Sequence, residues 1–253
     1  MIKHCIVMAS AYSIGQRIAL DYYDKDILKM NVIQKEIDYI FEKCGKDIPI
    51  STHFIQTEST GWDAVKKADK FFEHTKLIKT KEEFIELLLK DRELKGLDIA
   101  KYILTKIPCT HLKLEKLVYM CYADYLCETT EKLFKDTIYA YRLGPVIESV
   151  YEKYKKNGSE VIGTIRDEDN IKTYDETSKK LPIRSRIISS KDGLKKLHSI
   201  DKSLEKYGKY SANELVKITH KKFGPWYNSG GGTKNYSEIT DNLIKKYHKY
   251  EIT

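Results

Sequence analysis

The stretch LKLEKLVYMCYADYLCE, residues 112–128, is apolar on most sides when it is placed on a helix of 3.6 residues per turn. Leucine, valine, cysteine and tyrosine occupy most of its positions. A helix that is apolar around most of its circumference belongs inside a protein rather than at its surface. The stretch therefore predicts the central helix of the C-terminal half of the chain.

Amphipathic segments flank this helix and predict a C-terminal region that is mainly α-helical. In this region Gly144 allows a tight turn, Pro145 suits a first helical position, and Ser211 with Glu214 forms a capping box. Residues 138–143 predict a short β element, and the polar residues 159–190 predict an irregular excursion. The expected helices cover residues 97–106, 110–128, 145–156, 191–206, a segment after Ser211, and 237–249.

The first 93 residues have a different pattern, which is typical of a small α/β or α+β domain. Residues 3–9 and 49–57 resemble strands, and residues 32–44 carry apolar side chains at helical spacing. Two further helices are expected, capped by Thr60 and by Thr80. With a boundary at Asp91–Gly96, the sequence predicts an N-terminal accessory domain, 1–93, and a compact all-helical domain with a short β element, 94–253.

The net charge is +8 and lies in the C-terminal part of the chain. Residues 1–93 carry 15 Lys and Arg against 16 Asp and Glu, a net charge of −1, which leaves +9 for the remainder. A basic domain attracts nucleic acid or an acidic protein. The basic run between Lys179 and Lys196 has no aromatic stacking platform or helix-turn-helix pattern, so a solvated face is favoured over nucleic-acid binding.

The composition indicates a cytoplasmic protein. No apolar run approaches the ~20 residues that cross a bilayer, and the apolar stretch after Met1 is too short and too weakly flanked for a signal peptide. The five cysteines are odd in number and form no CxxC pair, so all five are expected to be free, buried thiols. No metal or cofactor site is predicted.

Three segments follow one another along the chain, and their order and spacing identify a family more specifically than any one segment does. They are LKLEKLVY at 112–119, YAYRLGPV at 139–146, and YGKYSANEL at 207–215 followed by Thr219-His220 and Gly224-Pro225-Trp226. The series resembles the Panacea antitoxin family (SocA-like and GepA-like, phage-associated) over residues 97–227. The chain departs from the family pattern at Leu143 and at residues 221–224, which puts the identity of a partner in doubt.

The resemblance implies a helical binding module that neutralises a cognate toxin, usually encoded by an adjacent gene, through direct protein–protein contact. A structural role is favoured over direct contact at most of the motif positions. The candidate partner-binding or motif residues are Lys116, Tyr119, Tyr122, Tyr141, Arg142, Gly144, Pro145, His220, Pro225 and Trp226.

No catalytic pattern accompanies these motifs, so the chain is not expected to be an enzyme through its C-terminal domain. His220 follows a helix, where a cationic ring would interact with exposed carbonyl groups. Three alternatives stay open: a phage or mobile-element protein that binds a host defence component, a nucleic-acid binder, and an enzyme whose site lies in residues 1–93. The polar candidates for that enzyme site are His4, Cys5, Ser10, Ser13, His53 and Glu58.

Overall fold

The computed structural model describes residues 1–163, 181–231, 233 and 236–252. The described residues form two units. One comprises Met1–Glu93 together with residues 181–192, and the other comprises residues 94–163 together with those after Asp192. The chain therefore passes from the second unit to the first and back again. The predicted division into domains 1–93 and 94–253 stays a prediction.

The secondary structure is mixed in the first unit and mostly helical in the second. The strands are β1 (Ile2–Ala11), β2 (Gln16–Asp24), β3 (Ser51–Thr57), β4 (Thr75–Leu77), β5 (Cys109–Thr110), β6 (Ile138–Tyr141), β7 (Gly144–Ile147), β8 (Val161–Ile162) and β9 (Ser237–Glu238). The helices are α1 (Met30–Cys44), α2 (Trp62–Ala68), α3 (Lys81–Lys90), α4 (Gly96–Lys106), α5 (His111–Thr129), α6 (Glu148–Tyr154), α7 (Ile183–Ile188), α8 (Gly193–Tyr207), α9 (Ala212–Thr219), α10 (Pro225–Asn228), α11 (Asp241–Tyr247) and α12 (Lys249–Ile252). The fold class expected from the sequence is confirmed, although the C-terminal region holds several short strands rather than one β element.

A four-stranded sheet of order β3-β1-β2-β4 organises the first unit. Strand β1 pairs antiparallel with both β2 and β3, while β4 lies parallel to β2. Alternate side chains of β1 point to opposite faces. Val7 belongs to a core with Ile37 and Phe84, whereas Met8 belongs to a separate cluster with Phe72. Both faces of the central strand are therefore buried.

Two of the three N-terminal helices differ little from the expectation, but the predicted N-cap of α2 was wrong. Thr80 caps α3 by accepting a hydrogen bond from the amide of Glu83. Helix α2 begins after Gly61, without a side-chain cap, and not at Thr60. It ends at Ala68, and Phe72 lies in a separate 3-10 turn.

The helix α7 lies within the basic run and was not expected. Arg186 on α7 is buried and donates to the carbonyl oxygens of Asp91 and Glu93, both at 2.6 Å. Lys196 is also buried, while Lys179 and Lys180 lie outside the described residues. The run is therefore not a continuous charged face, because two of its cations are inside the protein.

Helix α5 is the centre of the second unit, as its sequence predicts. It packs against α4, α6, α8, α9 and α11, and twelve of its residues from Leu114 to Leu126 are buried. The capping box of Ser211 and Glu214 that opens α9 is confirmed. Four cysteines are buried as expected, but Cys127 near the end of α5 is exposed.

Pro145 does not begin a helix, as was expected, but lies inside β7. Strand β7 is the outer strand of a sheet of order β7-β6-β9, and a residue without an N–H is tolerated at such an edge. The following helix, α6, starts only at Glu148. The last expected helix also begins later, because Ser237 pairs with Ala140 in this sheet.

No helix in the described ranges has the length and apolar character that crossing a membrane requires.

Candidate functional site

Two side chains of α5 close the open edge of β7. The Nζ of Lys116 donates to the carbonyl oxygen of Pro145 at 2.6 Å, and the Oε2 of Glu115 accepts from the amide of Ile147 at 3.1 Å. Lys116 is completely buried and Glu115 is 2% exposed. The two side chains thus make the backbone hydrogen bonds that a further strand would otherwise make.

Burial of this pair opposes the charge on both groups. It lowers the pKa of Lys116 and raises the pKa of Glu115, and each partner's charge partly opposes the shift of the other. A buried charge is stable only when it is paired and hydrogen-bonded. Lys116 and Glu115 therefore depend on each other and on the β7 backbone.

Gly144 brings the second motif segment against the first and the third. Its φ is +105°, and a Cβ at this position would lie 2.9 Å from Oγ1 of Thr219 and 3.0 Å from Cε of Lys116. Both the backbone conformation and the close packing require glycine here.

His220 and Trp226 form a stacked pair beside this contact. Their ring centroids are 3.7 Å apart with an interplanar angle of 5°, and the Nε1 of Trp226 donates to the carbonyl oxygen of Tyr141 at 2.8 Å. His220 lies at the end of α9, as expected. Burial, with a contribution from Lys116, lowers its pKa. The neutral ring is therefore favoured, which argues against a cationic interaction of His220 with helix carbonyls.

The other motif residues have separate environments. Tyr141 donates from its hydroxyl to Oε1 of Glu148 at 3.2 Å. Arg142 is exposed in the turn between β6 and β7, and Pro225 is buried at the first position of α10. Tyr122 is buried and donates to Oδ1 of Asp241 at 2.7 Å.

Tyr119 belongs to a buried polar network that the sequence did not indicate. Its hydroxyl donates to Oε2 of Glu251 at 2.9 Å. The ring of His248 lies between Glu251, 2.6 Å from Nδ1, and Asp124, 2.9 Å from Nε2. Burial lowers the pKa of His248, but its hydrogen bonds to the two carboxylates outweigh this and raise the pKa to about 9. Only the spacing of His248 and Glu251 on one helical turn could have drawn attention to the pair.

Six polar residues of the N-terminal unit were proposed for an enzyme site. Of these six, only His4 contacts both a carboxylate and a hydroxyl of the described residues through its side chain. His4 lies 2.9 Å from Oδ2 of Asp21 through Nδ1 and 2.8 Å from Oγ1 of Thr57 through Nε2. The Thr57 hydroxyl, however, donates its proton to the carbonyl oxygen of Ser59. It therefore accepts from His4 Nε2, which is opposite to the direction that a general base needs. Within the residues described, no group of His, Cys, Asp and Glu could hold a metal ion.

The contacts around Lys116 join all three motif segments, and the comparisons with known proteins concern the same region. Residues 114–227 match the model of the family described as antitoxin SocA-like, Panacea domain. Antitoxin SocA of Caulobacter vibrioides (strain NA1000 / CB15N) is 27% identical over 150 residues, which cover 57% of this chain and 74% of that protein. No solved structure matches the chain. Over residues 114–227 the chain is thus similar to the Panacea domain of SocA-like antitoxins.

Proposed function

We propose that this protein is an antitoxin that neutralises a protein toxin by direct binding, and that the toxin is encoded by an adjacent gene. The observation that carries the proposal is the Panacea-domain match over residues 114–227. The match covers the residues that hold α5, the β6-β7 hairpin and α9 together. The relative from Caulobacter vibrioides is named an antitoxin, and we extend that role to this chain.

An exposed group of aromatic side chains supports binding to another protein. Phe223, Tyr227 and Tyr250, called the aromatic patch below, are 51%, 45% and 39% exposed. The ring of Phe223 lies 6.0 Å from that of Tyr227 and 6.1 Å from that of Tyr250. Aromatic residues are enriched in protein interfaces, and a cluster of them at a surface marks a contact site.

Phe223 is held in a conformation that its residue type disfavours. Its φ is +69°, in the left-handed region where a bulky residue is uncommon. Backbone strain of this kind occurs often at binding sites. The Nζ of Lys222 lies 5.1 Å from the centroid of the Phe223 ring, and that of Lys249 lies 5.2 Å from the Tyr250 ring. The combination of rings and ammonium groups suits a partner with an acidic surface.

Co-expression tests the proposal. Cells that express the adjacent gene alone should stop growing, and cells that also express this chain should grow, with the two proteins eluting as one complex. The function is refuted if the adjacent gene product is harmless, or if it remains toxic while both proteins are abundant. A harmless neighbour combined with capture of a host defence protein would favour the mobile-element alternative instead.

We expect Phe223→Gly to weaken toxin binding without harming the fold. Glycine adopts a φ of +69° readily, so the variant removes the exposed ring and relieves strain in one change. Loss of one central aromatic contact should weaken binding at least ~10-fold, or ~1.4 kcal/mol. Calorimetric titration with the toxin measures this, after circular dichroism has confirmed the fold.

Two control variants help to interpret the result for Phe223→Gly. Phe54 is 62% exposed on β3 in the other unit, so Phe54→Thr removes a comparable ring from a strand and should leave the affinity unchanged. His220→Gln should also neutralise the toxin, since the His220 ring packs against Trp226 and is not expected to transfer protons. Equal affinities for wild type and Phe223→Gly would remove the aromatic patch from the interface.

A further inference from the structure

A cavity of about 180 Å³ lies beside the pair that closes β7. It is bounded by the first turn of α5, the β6-β7 hairpin and α6. Its walls are mainly apolar or aromatic and comprise Leu112, Tyr141, Leu143, Val146 and Tyr151. Leu143 is 47% exposed in the turn of the hairpin, so the cavity opens beside an accessible residue.

Two polar atoms in the lining of this cavity have unmade hydrogen bonds. The Oε1 of Glu115 and the Nδ1 of His111 are buried and have no hydrogen-bond partner among the described residues. The other carboxylate oxygen of Glu115 is already occupied by the amide of Ile147. A buried polar atom without a partner is unfavourable. A ligand that supplies a donor at this point would therefore bind with a gain in free energy.

The volume suits one aromatic ring. An apolar cavity of ~150 Å³ accommodates benzene, so a cavity of about 180 Å³ has room for a phenol ring. The rings of Tyr141 and Tyr151, with centroids 5.8 Å apart at 65°, offer edge and face contacts to a third ring.

The charges in the lining favour a neutral ligand group over a cation. Lys116 and Arg142 both line the cavity. Burial, with a contribution from the charge of Lys116, lowers the pKa of His111, in keeping with surroundings that disfavour another positive charge. An arginine or lysine tip would meet the same repulsion, whereas a phenol hydroxyl brings a donor without a charge.

We propose that this cavity receives one tyrosine side chain of the partner protein, whose hydroxyl donates to Oε1 of Glu115 while its ring packs against the rings of Tyr141 and Tyr151. The inference rests on the proposed function, because it names a contact by which the toxin is held. Aromatic residues that fill a pocket supply much of the affinity in protein complexes.

The test has one arm that needs no toxin. The full-length protein is titrated with p-cresol, the analogue of a tyrosine side chain, and with toluene, which lacks the hydroxyl, while ring resonances of Tyr141 and Tyr151 are followed by NMR. We expect saturable binding of p-cresol, at least 5-fold tighter than that of toluene. Val146→Phe fills the cavity from β7 and should weaken p-cresol binding at least 10-fold. Leu112→Phe fills it from α5 and serves if the strand variant does not fold, and Phe54→Thr, on β3 of the other unit, should leave p-cresol binding unchanged.

The second arm uses the complex. A folded cavity-filling variant should bind the toxin at least 10-fold more weakly than wild type. Absence of saturable p-cresol binding, or unchanged p-cresol affinity in the filled variants, overturns the inference, as does full toxin affinity in a variant that has lost p-cresol binding. Failure of the proposed function is a different result, in which the wild-type protein itself does not neutralise the toxin.

Discussion

Replacing Lys116 with alanine is expected to destabilise the C-terminal unit by about 3–5 kcal/mol, which combines the loss of a long buried side chain with the loss of its buried hydrogen bond. The side chain is completely buried, and its Nζ donates to the carbonyl oxygen of Pro145. The substitution leaves that oxygen without its donor, leaves the Glu115 carboxylate without its neighbouring cation, and leaves a cavity where the four methylene groups were.

The unfolding of this unit can be followed separately from the other. Trp226 belongs to the C-terminal unit and Trp62 to the N-terminal one, so tryptophan fluorescence in a Trp62→Phe background reports denaturant unfolding of the unit that contains Lys116. Lys101→Ala, an exposed position on α4, is the matched control and should shift stability by less than ~0.5 kcal/mol. Lys116→Met keeps most of the side-chain volume, so its loss of stability should lie between those of Lys116→Ala and Lys101→Ala. A loss below 1 kcal/mol in Lys116→Ala would mean that the β7 edge does not depend on this lysine.

The helices that sequence reasoning predicted well are those whose signal is local. The apolar circumference of α5 and the capping residue Ser211 act within a few residues of each other, so the chain pattern is sufficient to locate them. Strand β2 was missed because Arg17, Asp21 and Asp24 interrupt its apolar residues, and its position depends on pairing with β1. Pairing between two strands leaves little trace in the sequence of either strand alone, even where the strands form a hairpin, as β1 and β2 do.

The Gly144-Pro145 segment shows why a correct local observation led to a wrong element. Glycine before proline suits both the start of a helix and a turn into an edge strand. The choice is decided by distant groups, because Glu115 and Lys116 supply the hydrogen bonds that allow β7 to lie at the edge of its sheet. Family resemblance identified Lys116 as a motif residue, but only its contacts reveal that it is buried against the backbone.

The network around His248 could not be predicted from the sequence for the same reason, because its residues are distant in the chain. Asp124 and His248 are 124 positions apart in the chain, and the helix that brings the second to the first has no motif of its own. Tyr119 is completely buried in this network, whereas Trp226 is only half-buried. Truncation of Tyr119 is therefore expected to destabilise the unit more than truncation of Trp226.

The C-terminal unit is also expected to lose stability as the pH rises from about 6.5 to 9, because folding raises the pKa of His248 from 6.5 to about 9. A group whose pKa is higher in the folded state stabilises the protein fully below the unfolded value and loses that contribution as the pH passes through the folded value. Each unit of pKa corresponds to ~1.4 kcal/mol, so the whole contribution is about 3 kcal/mol. Asp124, whose pKa is lowered, stays ionised throughout this range and contributes no change.

The reference for this measurement must not add a titration of its own. His248→Gln alone would leave the carboxyl group of Glu251 buried without its cation, and burial already raises the pKa of Glu251. The double variant His248→Gln with Glu251→Gln removes both titrations and keeps polar groups in place. The difference in unfolding free energy between wild type and this variant, measured from pH 6 to 9.5, should shrink by ~1.4 kcal/mol per pH unit within the window. Titrations of Glu115, Lys116 and the buried thiols occur in both proteins and cancel. A difference that stays constant across the window would mean that His248 is neutral between Asp124 and Glu251, and that one of these carboxyl groups holds the proton instead.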